Sequence, residues 1–440
     1  MTVLGSGSDE ERSRRHRLFV LFLLTAAYTV SQMDRSMINI LMEPIKLDLG
    51  LSDTQLGLLT GLAFALLYSI LGVPVAYLAD RTNRALIAVL GVAVWAVMML
   101  CTGFVSRFML LLLVRVGAGA GEAGVFPASY SLIGDHFTAQ RRVRVFSVFM
   151  TGVGLSIALG FILAGCANQT FGWRTAFIIA AVPGALLAIL AAPTLREPRR
   201  RPGASAPLQL RLPLTGVLAI LSRNGSFRSI VLAVMLANVD AMGVSQWAGV
   251  FYTRAHQISS AQLGLWLGLV AGGSAALGTL LGGFAADRWF RGQPGNQLRL
   301  AAGLTATQVP FVLLILYVPN AVASLLLLIP LYVGFFAYNG PVLAITQDLV
   351  DARVHAVAVT AMVLNLVGTG LGPLVVGALS DLFTPYLGNG GLKLAMLITA
   401  LSALASGWMF VRASRSVAGD LERPQTAVPR TLTEAAEPAP

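Results

Sequence analysis

Ala79-Asp80-Arg81-Thr82-Asn83-Arg84 closes the second long apolar run of this sequence, and Gly282-Gly283-Phe284-Ala285-Ala286-Asp287-Arg288 closes the eighth. The two Asp-Arg pairs stand 207 positions apart, and Asp34 and Asp240, each inside an apolar run, stand 206 apart. Two acidic landmarks at nearly one offset indicate an internal duplication, read as parallel repeats related by an axis along a membrane normal.

Working outward from these landmarks, apolar runs long enough to cross a bilayer occur twelve times. They span 18–42, 54–78, 85–105, 109–133, 143–168, 173–193, 227–252, 259–286, 298–318, 321–344, 354–380 and 391–411. The expected fold is therefore an all-α integral membrane protein, with twelve transmembrane helices in two pseudo-symmetric six-helix bundles. The organisation expected is an N-terminal tail at 1–17, one bundle at 18–193, a linker at 194–226, a second bundle at 227–411 and a disordered tail at 412–440. Composition agrees: 12% of the 440 residues are charged, against about 25% in soluble domains, and the mean hydropathy is +0.75.

Of the 31 basic residues, only Lys46 and Lys393 are lysines. One alternating set of loops and ends, with both tails, holds 24 of them; the opposite set holds five, and Arg35 and Arg115 lie within runs. The positive-inside rule then puts both termini in the cytoplasm. The net charge of +11 thus reports orientation, and nucleic-acid binding is not expected. Cys101 and Cys166 lie in apolar runs and the four histidines at run ends, so neither a disulfide framework nor a metal or cofactor site is expected. The first apolar run has no small-residue cleavage site after it and reads as a retained helix. The H-E-x-x-H, G-x-S-x-G and G-x-x-x-x-G-K-[ST] patterns are absent, which removes support for a membrane enzyme.

Asp34, Arg35, Arg115 and Glu122 are ionisable groups inside apolar runs. Each costs about 3 kcal/mol at a bilayer centre, so such groups pair, bind substrate or relay protons. Arg115 and Glu122 are seven apart and share a helix face. Asp34 lies about 24 Å along the first helix, and Arg115 about 9 Å below the outer surface, by the rise of 1.5 Å per residue. An Asp34–Arg115 ion pair is geometrically plausible on those depths. Glu122 sits two turns deeper. Arg35, turned about 100° from Asp34, either anchors an anionic head group or neutralises Glu122. In the second half Asp240 falls near the midplane, with Tyr338, Asn339 and Asn365 as further polar candidates. The first half is polar inside and the second mostly Leu, Val and Phe. That contrast suits an amphiphile with an ionic head, and equally a small drug-like anion.

The six-plus-six pattern, the central cytoplasmic loop and the acid-base turns resemble the major facilitator superfamily. Within it, Met33-Asp34-Arg35, the run from Arg115 through Gly117, Gly119 and Gly121 to Glu122, Tyr130 and Gly134-Asp135-His136-Phe137 are similar to the spinster-like transporters. The resemblance implies proton-linked alternating access moving lipid-like amphiphiles such as lysophospholipids, with the lipid bilayer, protons and a small-molecule substrate as partners of a monomer. From their burial, depth and charge, Asp34 and Glu122 are the candidates for proton coupling, and Arg35, Arg115, Asp240, Tyr338, Asn339 and Asn365 the candidates for substrate binding; the gating role is what the resemblance implies. Asp80, Arg81, Arg84, Asp287 and Arg288 become gating residues that hold the outward-facing state.

Overall fold

The computed structural model describes residues 6–63, 65, 74–75, 78, 82–137, 139–195, 197, 224–349 and 356–422. All regular structure among them is helical. In chain order the helices are α1 (Ser6–Leu49), α2 (Asp53–Thr60), α3 (Arg84–Thr102), α4 (Phe108–His136) and α5 (Ala139–Thr194). There follow α6 (Gly225–His256), α7 (Ser260–Trp289), α8 (Pro294–Ala306), α9 (Gln308–Tyr317) and α10 (Ala321–Ala337). The last are α11 (Asn339–Asp348), α12 (Ala356–Leu387), α13 (Gly390–Ala400) and α14 (Ser402–Glu422). Among the described residues, eight helical stretches are long and apolar enough to cross a membrane.

Local chemistry explains several boundaries. Ser52 and Gln55 close a reciprocal capping box at the start of α2, satisfying two donors that the first turn leaves free. Asn83 caps α3 by accepting from the Leu86 amide. The fifth and sixth apolar runs form one stretch, α5, interrupted at Gly172, whose φ of 82° lies in the left-handed region open to glycine. Two ends differ from the sequence expectation. α1 begins at Ser6, because the Glu/Arg-rich lead-in is made of good helix formers. α14 continues to Glu422, with Ala413, Ser414 and Val417 buried, so packing carries the helix past position 411.

The residues cluster into two compact units, 1–200 with 252–272, and 201–251 with 273–440. In the first, Leu23, Leu24, Ala88, Val92, Leu132, Phe149 and Ala188 form a buried core. α3 shows the logic of a membrane helix. Val92, Trp95, Ala96 and Met99 are buried, while Leu86, Leu90, Val94 and Val97 on the other face are exposed, which lipid tolerates because it is as apolar as the core. α3 and α4 approach at Gly91 and Gly121. A Cβ on Gly121 would lie 2.6 Å from the Gly91 carbonyl oxygen and 2.7 Å from the Trp95 nitrogen, so only glycine allows this spacing, and it fixes the position of the neighbouring Glu122.

The first unit also takes in the end of α6 and the start of α7. Asn168 donates to Ser260 Oγ at 2.8 Å, one of the contacts that hold that segment. In the second unit Phe227, Ile230, Leu298, Phe335, Tyr338, Phe410 and Val417 make the core, and Trp247 Nε1 donates to the Pro373 carbonyl at 2.9 Å.

Candidate functional site

Two ion pairs cross between α1 and α4 inside the first unit. Arg115 Nη1 donates to Asp34 Oδ2 at 2.6 Å, and Arg35 Nη2 lies 2.6 Å from Glu122 Oε1. The pairing is crosswise: each helix supplies one carboxylate and one guanidinium. It follows from helix geometry. The seven-residue step puts Arg115 and Glu122 on one stripe of α4, and consecutive Asp34 and Arg35 fan out from α1 to meet its two levels.

Asp34 and Glu122 are fully buried and Arg115 is 2% exposed, whereas the Arg35 side chain is 30% exposed. Arg35 is thus the member most open to a ligand. Asp34 Oδ1 and Glu122 Oε2 have no hydrogen-bond partner among the described residues. Each carboxylate therefore has an oxygen to spare for a proton. Buried pairs of this kind are energetically near balance, since desolvation offsets much of the attraction. A proton placed on either carboxylate would release an arginine, leaving a cation for an anionic group.

The other expected site residues are placed as follows. Asp240 is buried in the second unit, on α6, and Tyr338 is buried in the same unit against Phe335 and Phe410. Asn339 is exposed and donates Nδ2 to the Phe335 carbonyl at 2.8 Å, so its amide serves the end of the preceding helix, α10. The Asn365 side chain, Asp80 and Arg81 lie outside the described residues. Arg84 is anchored in the first unit: it donates to Glu197 Oε1 from Nε at 2.8 Å and from Nη2 at 2.6 Å, to Ser131 Oγ at 2.7 Å, and pairs with Asp135 at 2.6 Å. Asp287 makes an exposed local pair with Arg291 at 3.6 Å, and Arg288 is exposed.

Two groups of charges escape a sequence reading. Glu197 accepts from the Arg84 amide at 2.8 Å as well as from its side chain, joining the start of α3 to the chain after α5. Arg254 donates to Glu43 Oε2 at 2.7 Å and to Asp53 Oδ1 and Oδ2 at 2.8 Å each, and Lys46 completes the cluster at 2.5 Å from Asp53. Asp53 is 1% exposed. The available signal was that Glu43, Lys46 and Asp53 crowd one helix end while Arg254 stands among few cations.

Residues 24–373 match the Major Facilitator Superfamily. The chain is 31% identical over 378 residues to an MFS-type efflux pump of Mycolicibacterium smegmatis, covering 86% of this chain and 87% of that one. It is 26% identical over 388 residues to the sphingosine-1-phosphate transporter SPNS2 of Mus musculus, covering 82% and 69%. Among solved structures, a bacterial homologue of the human lysosomal transporter Spinster, inward-facing and unoccupied, superimposes with a TM-score of 0.82 at 26% identity, covering 92% of this chain and 98% of that one.

Proposed function

The chain belongs to the major facilitator superfamily, on its spinster-like branch, and from that premise we propose that it is a proton-coupled secondary transporter of a lipid-like amphiphile or organic anion. It is an integral membrane transporter of that family, not an enzyme. The observation that carries the finer reading is the crossed pair of buried salt bridges, Asp34–Arg115 and Arg35–Glu122.

In this reading the coupling is a competition for the arginines. A proton on Asp34 or Glu122 ends the claim of that carboxylate on its guanidinium, which is then free to take an anionic head group. Loss of the proton restores the ion pair and expels the head group. Proton and anion therefore travel in the same occupied state, and alternating access carries both across. Only ligands with differential affinity for the two states shift such an equilibrium, and the protonation-dependent arginine provides that difference. Tyr338 and Asp240 belong to the proposed binding residues of the second unit. The turns at Asp80–Arg84 and Asp287–Arg288 are the proposed gate, working as a monomer in an inner membrane with both termini cytoplasmic.

A second reading has its own support, the 31% identity to an efflux pump: the cargo is a drug-like compound or a small hydrophilic anion. One experiment addresses both. Purified protein in liposomes is tested for flux of lysolipids, long-chain amine phosphates, hexonates and cationic dyes under an imposed pH gradient. Lysolipid flux that a protonophore abolishes is expected. Gradient-independent flux would overturn proton coupling, and flux of hexonates or dyes alone would overturn the amphiphile assignment.

A further inference from the structure

Asp240 is a buried carboxylate of the second unit with no counter-ion among the described residues. The residue is 1% exposed, and neither Oδ1 nor Oδ2 has a hydrogen-bond partner among the described residues. Two further buried polar atoms near it are equally unsatisfied, Gln308 Nε2 and the Tyr338 hydroxyl. Gln308 lines a small cavity with Asp240, Val244, Tyr332 and Phe335. Tyr338 packs in one cluster with Ala237, Ala241 and Met242, which flank Asp240 on α6. The titratable groups near the carboxylate are Tyr332 of α10, which lines the cavity, and Tyr338 at the end of α10; α9 contributes the neutral Gln308; among the described residues no Arg, Lys or His lines the cavity.

Native proteins pair nearly all buried polar groups, and an uncompensated buried charge is among the most costly arrangements they hold. Asp240 and Gln308, both buried and both carrying an unsatisfied polar atom among the described residues, line one hollow, which points to a polar group that the hollow binds. The hollow has room for about one water-sized group. It offers the Asp240 carboxylate and the Gln308 amide, whose oxygen faces the hollow when the amide is turned by half a rotation, two hard oxygen groups with one formal negative charge. Divalent cations of the calcium type gather about six to eight oxygens, commonly with several carboxylates; one carboxylate matches one positive charge.

We propose that Asp240, with Gln308, forms a binding site for one small monovalent cationic group, either an alkali ion or the primary ammonium end of a ligand. The Asp34–Arg115 and Arg35–Glu122 pairs of the first unit are internally neutral, whereas Asp240 has an unmatched carboxylate among the described residues with which to accept positive charge. As a binding site it stands independently of the proton-coupled transport proposed above, and its test is made without flux.

The test uses the purified full-length protein in nanodiscs at constant ionic strength, with choline chloride as the reference. Thermal melting is followed while sodium, lithium, potassium or hexylammonium chloride replaces choline. Wild type should show a saturable rise in melting temperature with at least one of these cations, and the rise should diminish in acid as protons compete for the carboxylate. An alkali response assigns a coupling-ion site; a hexylammonium response alone assigns an amine subsite. Asp240→Asn should bind at least about ten-fold more weakly, and Gln308→Leu, the second variant should Asp240→Asn fail to fold, should also weaken binding. No saturable stabilisation over choline in wild type, or the same stabilisation in both variants, overturns the site. Stabilisation retained alongside absent flux would overturn only the transport reading.

Discussion

Arg115 shows how much depends on a single atom pair. Its guanidinium is 2% exposed and its Nη1 sits 2.6 Å from a carboxylate that is itself fully buried. Truncation to alanine leaves Asp34 charged, buried and alone, which by analogy with other broken buried pairs costs about 3–5 kcal/mol. Arg115→Ala is therefore expected to melt well below wild type in detergent; coincident melting curves would mean that Asp34 has another way to be satisfied. Asp34→Asn is a different perturbation. The amide keeps the shape and still accepts from Arg115, but it cannot titrate, so the protein should fold while pH-gradient-driven uptake in liposomes disappears. Retained coupling would transfer the proton role to Glu122 alone. Arg35 is the accessible member, and Arg35→Ala should weaken binding of an anionic amphiphile more than that of its neutral-headed analogue, measured by titration with the purified protein.

At the scale of elements, the site is held by the spacing of α3 and α4. Gly91 and Gly121 let the backbones touch, and a methyl on Gly121 would meet backbone atoms of Gly91 and Trp95, not flexible side-chain ends. Gly121→Ala should separate the helices at a cost of about 1–3 kcal/mol, the usual range for overpacking. Because Glu122 follows directly, the same substitution should loosen its contact with Arg35. Lower melting temperature together with altered pH dependence of flux is expected; a variant with unchanged stability would show that α3 and α4 have slack at this crossing. The helical run of α5 illustrates the converse, a permitted interruption: Gly172 at φ 82° turns the chain where the fifth and sixth apolar runs meet.

At the scale of the molecule, the compact units do not coincide with the halves drawn by duplication, because 252–272 packs with the first unit. Arg254 is central to that attachment, bridging Glu43 of α1 and Asp53 of α2. An alternating-access cycle of the kind proposed requires such an attachment to be reversible, and ion pairs are suited to that because water can replace them. In Arg254→Ala, spin labels at Leu47 and Gln257 should report a longer and broader distance distribution, with flux reduced. An unchanged distribution would mean that contacts such as Asn168 to Ser260 at 2.8 Å suffice without the arginine.

The apolar runs, the repeated Asp-Arg turns and the four ionisable residues at 34, 35, 115 and 122 were legible along the chain, because hydropathy, helical period and the cost of a buried charge are local properties. They decided an all-helical membrane protein and the stripe on α4. Which carboxylate meets which arginine was not decided there. Arg35 was left between a ligand and Glu122 until the rotation of α1 against α4 was known, and Arg254 registered only as a charge although its partners lie 211 and 201 positions away. Asp240 shows the same division: its charge was visible in the sequence, while the absence of a counter-ion among the described residues and the nearness of Gln308 and Tyr338 were not. Pairing across helices is fixed by their rotation and register, and these are set by packing contacts such as Gly91 on Gly121, which join segments distant in sequence and leave no periodic trace in either one.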